Sequence, residues 1–193
     1  EYLALAQELL RPRSPCLIAI GGFSGSGKST LARRLAPQVG AAPGALVVRS
    51  DVIRKTLLGV SPLTRLGPEG YTADMNRRVY EAMAARAASA LGAGHSVIAD
   101  AVFAKPHDRE AIAAVAGETG VPFIGLWLDG SLETLAARLR ERVADASDAT
   151  ADVLDSQART GPGPLDWHRL DGSRDAGSVQ AFAEAIRARS VPP

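Results

Sequence analysis

A glycine-rich segment near the amino end of the chain has the residue types and spacing needed to hold phosphate groups. Gly22, Gly27, Lys28 and Ser29 occupy every fixed position of the pattern G-x-x-x-x-G-K-S/T. An apolar run precedes the segment and a helical pattern follows it, which is the context that this motif requires. Backbone N–H groups and the start of the helix concentrate positive potential there. The segment therefore predicts a loop that binds the phosphates of a nucleotide.

The motif also assigns tasks to individual side chains. Lys28 brings a compact cation to the β- and γ-phosphates, so it is a predicted catalytic residue, and the Ser29 hydroxyl is a predicted Mg²⁺ ligand. ATP and Mg²⁺ are therefore the expected cofactors. The motif leaves open which group accepts the phosphate. The full set predicted to bind nucleotide is Gly22, Ser24, Gly25, Ser26, Gly27, Lys28, Ser29 and Thr30.

A candidate catalytic pair follows the second apolar run, Ala45–Arg49. The carboxyl ends of parallel strands meet at one edge of a sheet, so Asp51 is expected beside the phosphate loop. Arg54 lies three residues later on the same helix face. In a catalytic reading, Asp51 accepts the proton of a substrate hydroxyl and Arg54 steadies the acceptor or the moving phosphoryl group. The structural alternative is that Asp51 caps its helix while Arg54 makes a surface ion pair.

Another acid, Asp100, closes the apolar run Ser96–Asp100. An apolar strand that ends in an acid is typical of the carboxylate that holds a Mg²⁺-bound water beside the loop serine. The pattern is short, and such an acid often serves only as a cap or a loop residue. Its position in the chain, one βα unit after the glycine motif, favours the metal role. We therefore predict Ser29 and Asp100 as the metal residues.

Two arginines follow the fourth apolar run. Arg138 and Arg142 are four residues apart and share one face of a predicted helix, Ser131–Val143. The chain resembles P-loop kinases in which the corresponding helix leads into a lid, and this resemblance implies that the two arginines close over the phosphates and help to exclude water. Both are therefore candidate catalytic residues. The alternative is a solvated helix face. We interpret residues 138–163 as a lid, with 145–150 as its flexible tip.

The remaining pattern predicts an α/β fold. Five apolar runs alternate with helical patterns, which indicates a parallel sheet with crossover helices. We expect a single domain over residues 1–193, with an amino-terminal helix or linker at 1–15. The strands are predicted at Leu17–Ile20, Ala45–Arg49, Ser96–Asp100, Phe123–Leu128 and Trp167–Leu170, and the helices at Tyr2–Leu10, Ser29–Pro37, Val52–Leu58, Ala73–Leu91, Pro106–Glu118, Ser131–Val143 and Ala176–Arg189.

These motifs together resemble the adenylate-kinase-like P-loop kinases. Within them, the chain is similar to a "predicted kinase" group related to gluconate kinases, chloramphenicol phosphotransferase, zeta toxins and polynucleotide 5′-hydroxyl kinases. The resemblance extends from Leu17 to Ile186. It implies a three-layer αβα sandwich with a five-stranded sheet in the order 2-3-1-4-5 and a helical lid. It also implies ATP·Mg²⁺ as donor, Asp51 as base and an upstream aminoglycoside-phosphotransferase-like domain.

The composition of the chain argues against some classes of binding partner. The formal net charge is +1, which argues against a nucleic-acid binder without excluding a local basic patch. No apolar stretch approaches the ~20 residues of a membrane span, so we expect a cytoplasmic protein. The loop 59–72 occupies the place where related kinases hold their acceptor, and Arg65 and Arg77 are candidate ligands for an acidic substrate.

Three functions remain open from the sequence. The first is a kinase for a hydroxyl group of a small molecule, the second a polynucleotide 5′-hydroxyl kinase, and the third an ATP-binding regulatory domain without phosphotransfer. The near-neutral charge and the few aromatic residues count against the second.

Overall fold

The computed structural model describes residues 2–3, 13–141 and 146–172. Within these ranges, five strands form one sheet in the spatial order β2-β3-β1-β4-β5, and every pairing is parallel. The predicted sheet and its order are confirmed. The strands are β1 (Leu17–Gly22), β2 (Leu46–Arg49), β3 (Val97–Asp100), β4 (Phe123–Asp129) and β5 (His168–Asp171).

Helices connect the strands and cover both faces of the sheet, which gives the three-layer α/β fold of P-loop NTPases. Short 3₁₀ turns lie at Ala36–Gln38 and Pro68–Tyr71. In the described part of the chain the α-helices are α1 (Lys28–Leu35), α2 (Ser50–Leu57), α3 (Ala73–Gly92), α4 (Pro106–Thr119), α5 (Leu132–Glu141) and α6 (Ala151–Thr160). None of the helices in these ranges is long and apolar enough to cross a membrane.

Two apolar cores lie on opposite faces of the sheet because successive side chains of a strand point in opposite directions. Leu17 and Ala19 of β1 belong to one core, which α3 and α4 cover. Ile18 and Ile20 belong to the other, which α1 covers through Leu31, Ala32 and Leu35. All four β1 residues are completely buried. The central strand is therefore held from both sides, and its carboxyl end is a rigid support for the loop that follows.

Two helices begin with a side-chain cap. The Thr72 hydroxyl accepts a hydrogen bond from the Met75 amide at the start of α3, and the Ser131 hydroxyl accepts one from the Thr134 amide at the start of α5. These bonds satisfy amides that have no partner inside the helix.

The helix α6 was not predicted. It lies within residues 138–163, which were interpreted as a lid without a helix at this position, since Asp and Ser have low helix propensity. Leu154 is the buried residue of this helix. The predicted helices Tyr2–Leu10 and Ala176–Arg189 lie outside the described residues, apart from Tyr2 and Leu3.

Candidate active site

A cleft of about 1220 Å³ opens where the carboxyl ends of β1, β2 and β3 meet. It brings together most of the residues predicted from the sequence. Those that line it are Ser24, Gly25, Gly27, Lys28, Ser29, Thr30, Asp51, Arg54, Asp100 and Arg138. Gly22 and Ser26 do not line the cleft. They lie beneath its surface and shape the loop.

The phosphate loop, residues 22–30, has the backbone that the glycine motif requires. Gly25 and Gly27 have φ values of +84° and +92°, a region that favours glycine. A Cβ on Gly25 would lie 2.5 Å from the Leu135 carbonyl oxygen, so the loop packs directly against α5. A Cβ on Gly27 would meet nothing within 4 Å and would project into open space. The loop therefore forms an open cradle at the amino end of α1, as a phosphate group needs.

Polar contacts hold the loop in this shape. The Lys28 ammonium donates to the Phe23 carbonyl at 3.0 Å, which keeps the cation over the loop. The Ser24 amide donates to the side-chain oxygen of Gln157 at 2.9 Å. Gln157 lies on α6, so a helix more than a hundred residues away is attached to the loop. Gln157 was missed because no motif marks it.

Asp51 lies in the first turn of α2, at the cleft wall formed by the end of β2. Its pKa is raised, mainly by burial and secondarily by the charge of Asp100. Lys28, a hydrogen bond with Ser147 and Arg49 oppose this rise. The N-cap of α2 is Arg49, without a side-chain hydrogen bond, so the capping alternative does not describe this helix. A carboxylate that is more basic than usual suits proton abstraction.

Arg54 does not make the surface ion pair that was the structural alternative. Its side chain is buried, and its guanidinium donates to the Gly70 carbonyl at 2.8 Å. The same guanidinium lies 4.6 Å from the centre of the Tyr71 ring, a cation–π contact. Arg54 therefore holds the end of the loop 59–72 against α2 while it lines the cleft.

Asp100 ends β3 and is almost completely buried. Its Oδ2 lies 3.3 Å from Nε of Arg49, the residue beside it in the register of the sheet. This ion pair was not predicted. Asp100 and Ser29 line the same cleft, and their oxygen atoms are the donor type that Mg²⁺ prefers. In the ranges that the structure describes, no group of three or more His, Cys, Asp or Glu residues is arranged for a metal.

The two predicted lid arginines have different outcomes. Arg138 lines the cleft, and its guanidinium donates to the Gly172 carbonyl at 3.0 Å. Gly172 is close to the phosphate loop, since a Cβ there would lie 2.7 Å from the Ser26 carbonyl oxygen. Arg138 is therefore positioned near the loop, and its predicted closure over the phosphates stays a prediction. Arg142 lies outside the described residues.

The segment 146–150 was predicted as part of a flexible tip, and this prediction is wrong for its buried members. Ala146 is 5% exposed, and the Asp148 side chain is 6% exposed. Asp148 pairs with Lys55, whose side chain is 1% exposed, at 3.0 Å. Both residues were missed because neither follows a motif. Lys55 comes directly after Arg54, and Asp148 lies in a stretch of small and acidic residues that reads as a surface loop.

The loop 59–72 borders the cleft through one of its residues. Tyr71 lines it, whereas Arg65 is exposed and does not. Arg77 also lines the cleft, but it is engaged with Asp74 and with Glu81 on the surface of α3. The predicted role of Arg65 and Arg77 as ligands for an acidic substrate stays a prediction.

Comparison with known proteins identifies the family. The model of the family AAA_33, described as "AAA domain", matches residues 17–164. The chain therefore belongs to this family. The uncharacterized protein Rv2004c of Mycobacterium tuberculosis is 31% identical over 193 residues, which cover 94% of this chain and 37% of that protein. The chain thus spans just over a third of the length of the curated relatives that it matches.

Solved structures agree with the fold. A gluconokinase from Sinorhizobium meliloti 1021 superposes with a TM-score of 0.61 at 24% identity, over 92% of this chain and 94% of that one. Kti12 of Chaetomium thermophilum, solved with ADP-AlF3, superposes with a TM-score of 0.67 at 18% identity, over 91% of this chain and 100% of that one. At these identities, the likeness concerns the fold.

Proposed function

We propose that this chain is an ATP-dependent, Mg²⁺-dependent phosphotransferase that acts on a hydroxyl group of a small molecule. The observation that carries the proposal is the position of Asp51, a carboxylate of raised pKa in the same cleft as the phosphate loop. A domain that only binds nucleotide has no need of a partly buried base there. The kinase fold of the structural neighbours supports the same reading.

At the donor end, Lys28 and the amides of the phosphate loop would hold the β- and γ-phosphates. Mg²⁺, held by Ser29 and through water by Asp100, would neutralise phosphate charge. Arg138 would add positive charge from the side of α5. The open space beside Gly27 leaves room for a phosphate group at the amino end of α1.

At the acceptor end, the transfer would proceed as a single displacement. The acceptor oxygen forms a bond to the γ-phosphorus, the bond from that phosphorus to the β–γ bridging oxygen breaks, and ADP leaves. The proton of the acceptor hydroxyl passes to the Asp51 carboxylate. Arg54 would steady the acceptor from the adjacent wall.

The charge of the acceptor end favours a neutral, polar molecule over a polyanion. Its lining includes acidic Glu81 and Asp108 beside basic Arg77 and Lys105. A strand of nucleic acid would place several phosphates against this mixed surface, and specific nucleic-acid sites are usually basic. We therefore rank polynucleotide 5′-hydroxyl kinase activity below small-molecule kinase activity.

The length of the curated relatives leaves room for another domain. We propose that an aminoglycoside-phosphotransferase-like domain precedes this one in a longer chain. In that setting, the third function, nucleotide binding for regulation without transfer, is the rival to be tested.

The test is an ATP-consumption screen of the wild-type chain and the variant Asp51→Asn against pooled sugars, small alcohols and oligonucleotides. We expect the variant to bind Mg·ATP as the wild type does and to lose transfer by about 10²- to 10⁴-fold, the usual range for general-base catalysis. If the wild type binds ATP and phosphorylates nothing, the regulatory function wins. If both proteins turn over equally, Asp51 is not the base.

The stability of Asp51→Asn is a further check that the fold is intact. Because the pKa of Asp51 is raised in the folded protein, its contribution to stability is full below the unfolded pKa and is lost as the pH rises through the folded pKa. At neutral pH the ionised group therefore opposes folding. Removing its charge should raise the free energy of unfolding at pH 7 in urea titrations. A large loss of stability would contradict the assigned environment.

A further inference from the structure

A buried ion pair lies at the acceptor end of the cleft, and the proposed chemistry does not use it. Lys55 on α2 and Asp148 in the segment 146–150 are joined at 3.0 Å, with side chains 1% and 6% exposed. Burying two charges costs free energy that their attraction repays only when the geometry is good and the remaining polar atoms are bonded. Such a pair contributes little to stability. The other contacts of Lys55 and Asp148 therefore indicate what the pair does.

Those contacts all reach the loop 59–72. The Lys55 ammonium also donates to the Thr64 carbonyl. The second carboxylate oxygen of Asp148 accepts from the Leu66 amide at 3.2 Å and from the Tyr71 hydroxyl at 2.8 Å. Three segments that are far apart in sequence, namely α2, the loop 59–72 and the segment 146–150, therefore meet at one carboxylate.

The neighbour of Asp148 links this junction to the candidate base. Ser147 hydrogen-bonds the Asp51 carboxylate, and this bond lowers the pKa of Asp51 against the effect of burial. The contacts of Asp148 restrain the backbone of the adjacent residue, Ser147. They therefore also restrain the position of the Ser147 hydroxyl relative to Asp51. Both carboxylate oxygens of Asp148 have partners, because Oδ1 faces Lys55 and Oδ2 accepts two hydrogen bonds.

We propose that Asp148, clamped by Lys55, is a positioning residue that holds the loop 59–72 closed on the acceptor and places Ser147 on Asp51. This inference rests on the proposed function, because it gives the junction a part in transfer to the acceptor. It predicts that loss of the junction lowers turnover while ATP binding, which depends on the phosphate loop, remains.

The test compares Asp148→Asn with the wild type in two measurements. In steady-state kinetics with the acceptor identified by the screen, or with water in its absence, kcat should fall at least about tenfold, since small misplacements of reacting groups are costly. The KM for ATP should change less than about twofold, because the variant removes no ATP contact. In hydrogen exchange, the Leu66 amide should exchange at least about tenfold faster.

Two further variants separate positioning from mere stabilisation. The double variant Lys55→Met/Asp148→Leu removes both charges, so it should recover most of the thermal stability that Asp148→Asn loses. It should not recover kcat, because Leu66 and Tyr71 still lack their acceptor. Tyr71→Phe, which removes one hydroxyl and keeps the ring, should show a smaller fall in kcat in the same direction.

A matched control is Asp155→Asn on the exposed side of α6, outside the cleft, which should leave both measurements unchanged. An unchanged kcat in Asp148→Asn would overturn this inference and leave the proposed function standing. Recovery of kcat together with stability in the double variant would do the same. A wild-type chain that consumes no ATP with any acceptor or with water overturns the proposed function, and this inference with it.

Discussion

The phosphate loop comes from one continuous stretch of chain, whereas the proposed acceptor end of the cleft is assembled from three. Residues 22–30 are shaped by glycine conformations and by the start of α1. At the other end, side chains of α2, the loop 59–72 and the segment 146–150 hold one another through buried charges. Backbone geometry thus forms one half of the site, and long-range side-chain contacts form the other. Substitutions at the two ends should consequently fail in different ways.

The largest expected effect is on nucleotide affinity at the continuous end. Lys28→Met removes the cation of the phosphate loop, and a hydrogen bond to a charged group contributes about 1.5–3 kcal/mol. Since Lys28 is expected to reach two phosphates, the Kd for Mg·ATP should rise at least about 100-fold in calorimetry. The control is Lys105→Met, a lysine that lines the cleft but lies outside the phosphate loop, which should bind ATP normally. If Lys28→Met and the wild type bind Mg·ATP with equal affinity, the phosphate loop is not the part of the cleft that holds the nucleotide.

A second prediction concerns stability at the assembled end. Arg54→Met leaves the buried Gly70 carbonyl without its charged donor, which should cost about 1.5–3 kcal/mol in the free energy of unfolding, measured by urea titration. The exposed Arg77, whose partners lie on its own helix, is the control, and Arg77→Met should change this free energy little. If Arg54→Met and Arg77→Met lower the free energy of unfolding by the same amount, the contact between Arg54 and the loop stabilises the fold no more than a surface ion pair does.

The smallest expected effect is a shift in pH dependence. Ser147→Ala removes a hydrogen bond that lowers the pKa of Asp51, so that pKa should rise further. Because the base must be ionised, the acidic limb of the kcat/KM profile should move to higher pH, with little change at the plateau. Ser147→Thr retains the hydroxyl and should restore the profile. An acidic limb that stays in place would show that Ser147 does not act on the base.

The difference between contiguous and distant residues also explains which parts of the site could be predicted from the sequence. The sheet order came from a resemblance, and the phosphate loop came from a motif whose residues are contiguous, so both were accessible. Asp51 and Asp100 were placed at the cleft because one follows a strand and the other ends one at the ligand-binding edge. Arg138 was placed there because it lies on the predicted helix that follows the fourth strand. Local patterns of this kind can be recognised in a sequence without knowledge of the tertiary structure.

The contacts that were missed all depend on distant pairs. Lys55 and Asp148 are 93 residues apart, and Ser24 and Gln157 are 133 residues apart. Lysine and aspartate are almost never buried unless they are paired, so a single residue of either type in a sequence is read as solvated. Only the fold brings the partners together, and the flexible tip was predicted wrongly for that reason.

One aromatic contact gives the protein an internal optical reporter. Phe23 of the phosphate loop meets the ring of Trp127 edge to face, with centroids 5.5 Å apart. Trp127 lies on β4 and is 2% exposed, and the chain has just one other tryptophan, the buried Trp167. Any rearrangement of the loop on ligand entry would alter the surroundings of this indole. Emission from the unlabelled wild-type chain should therefore follow nucleotide titrations without an added dye.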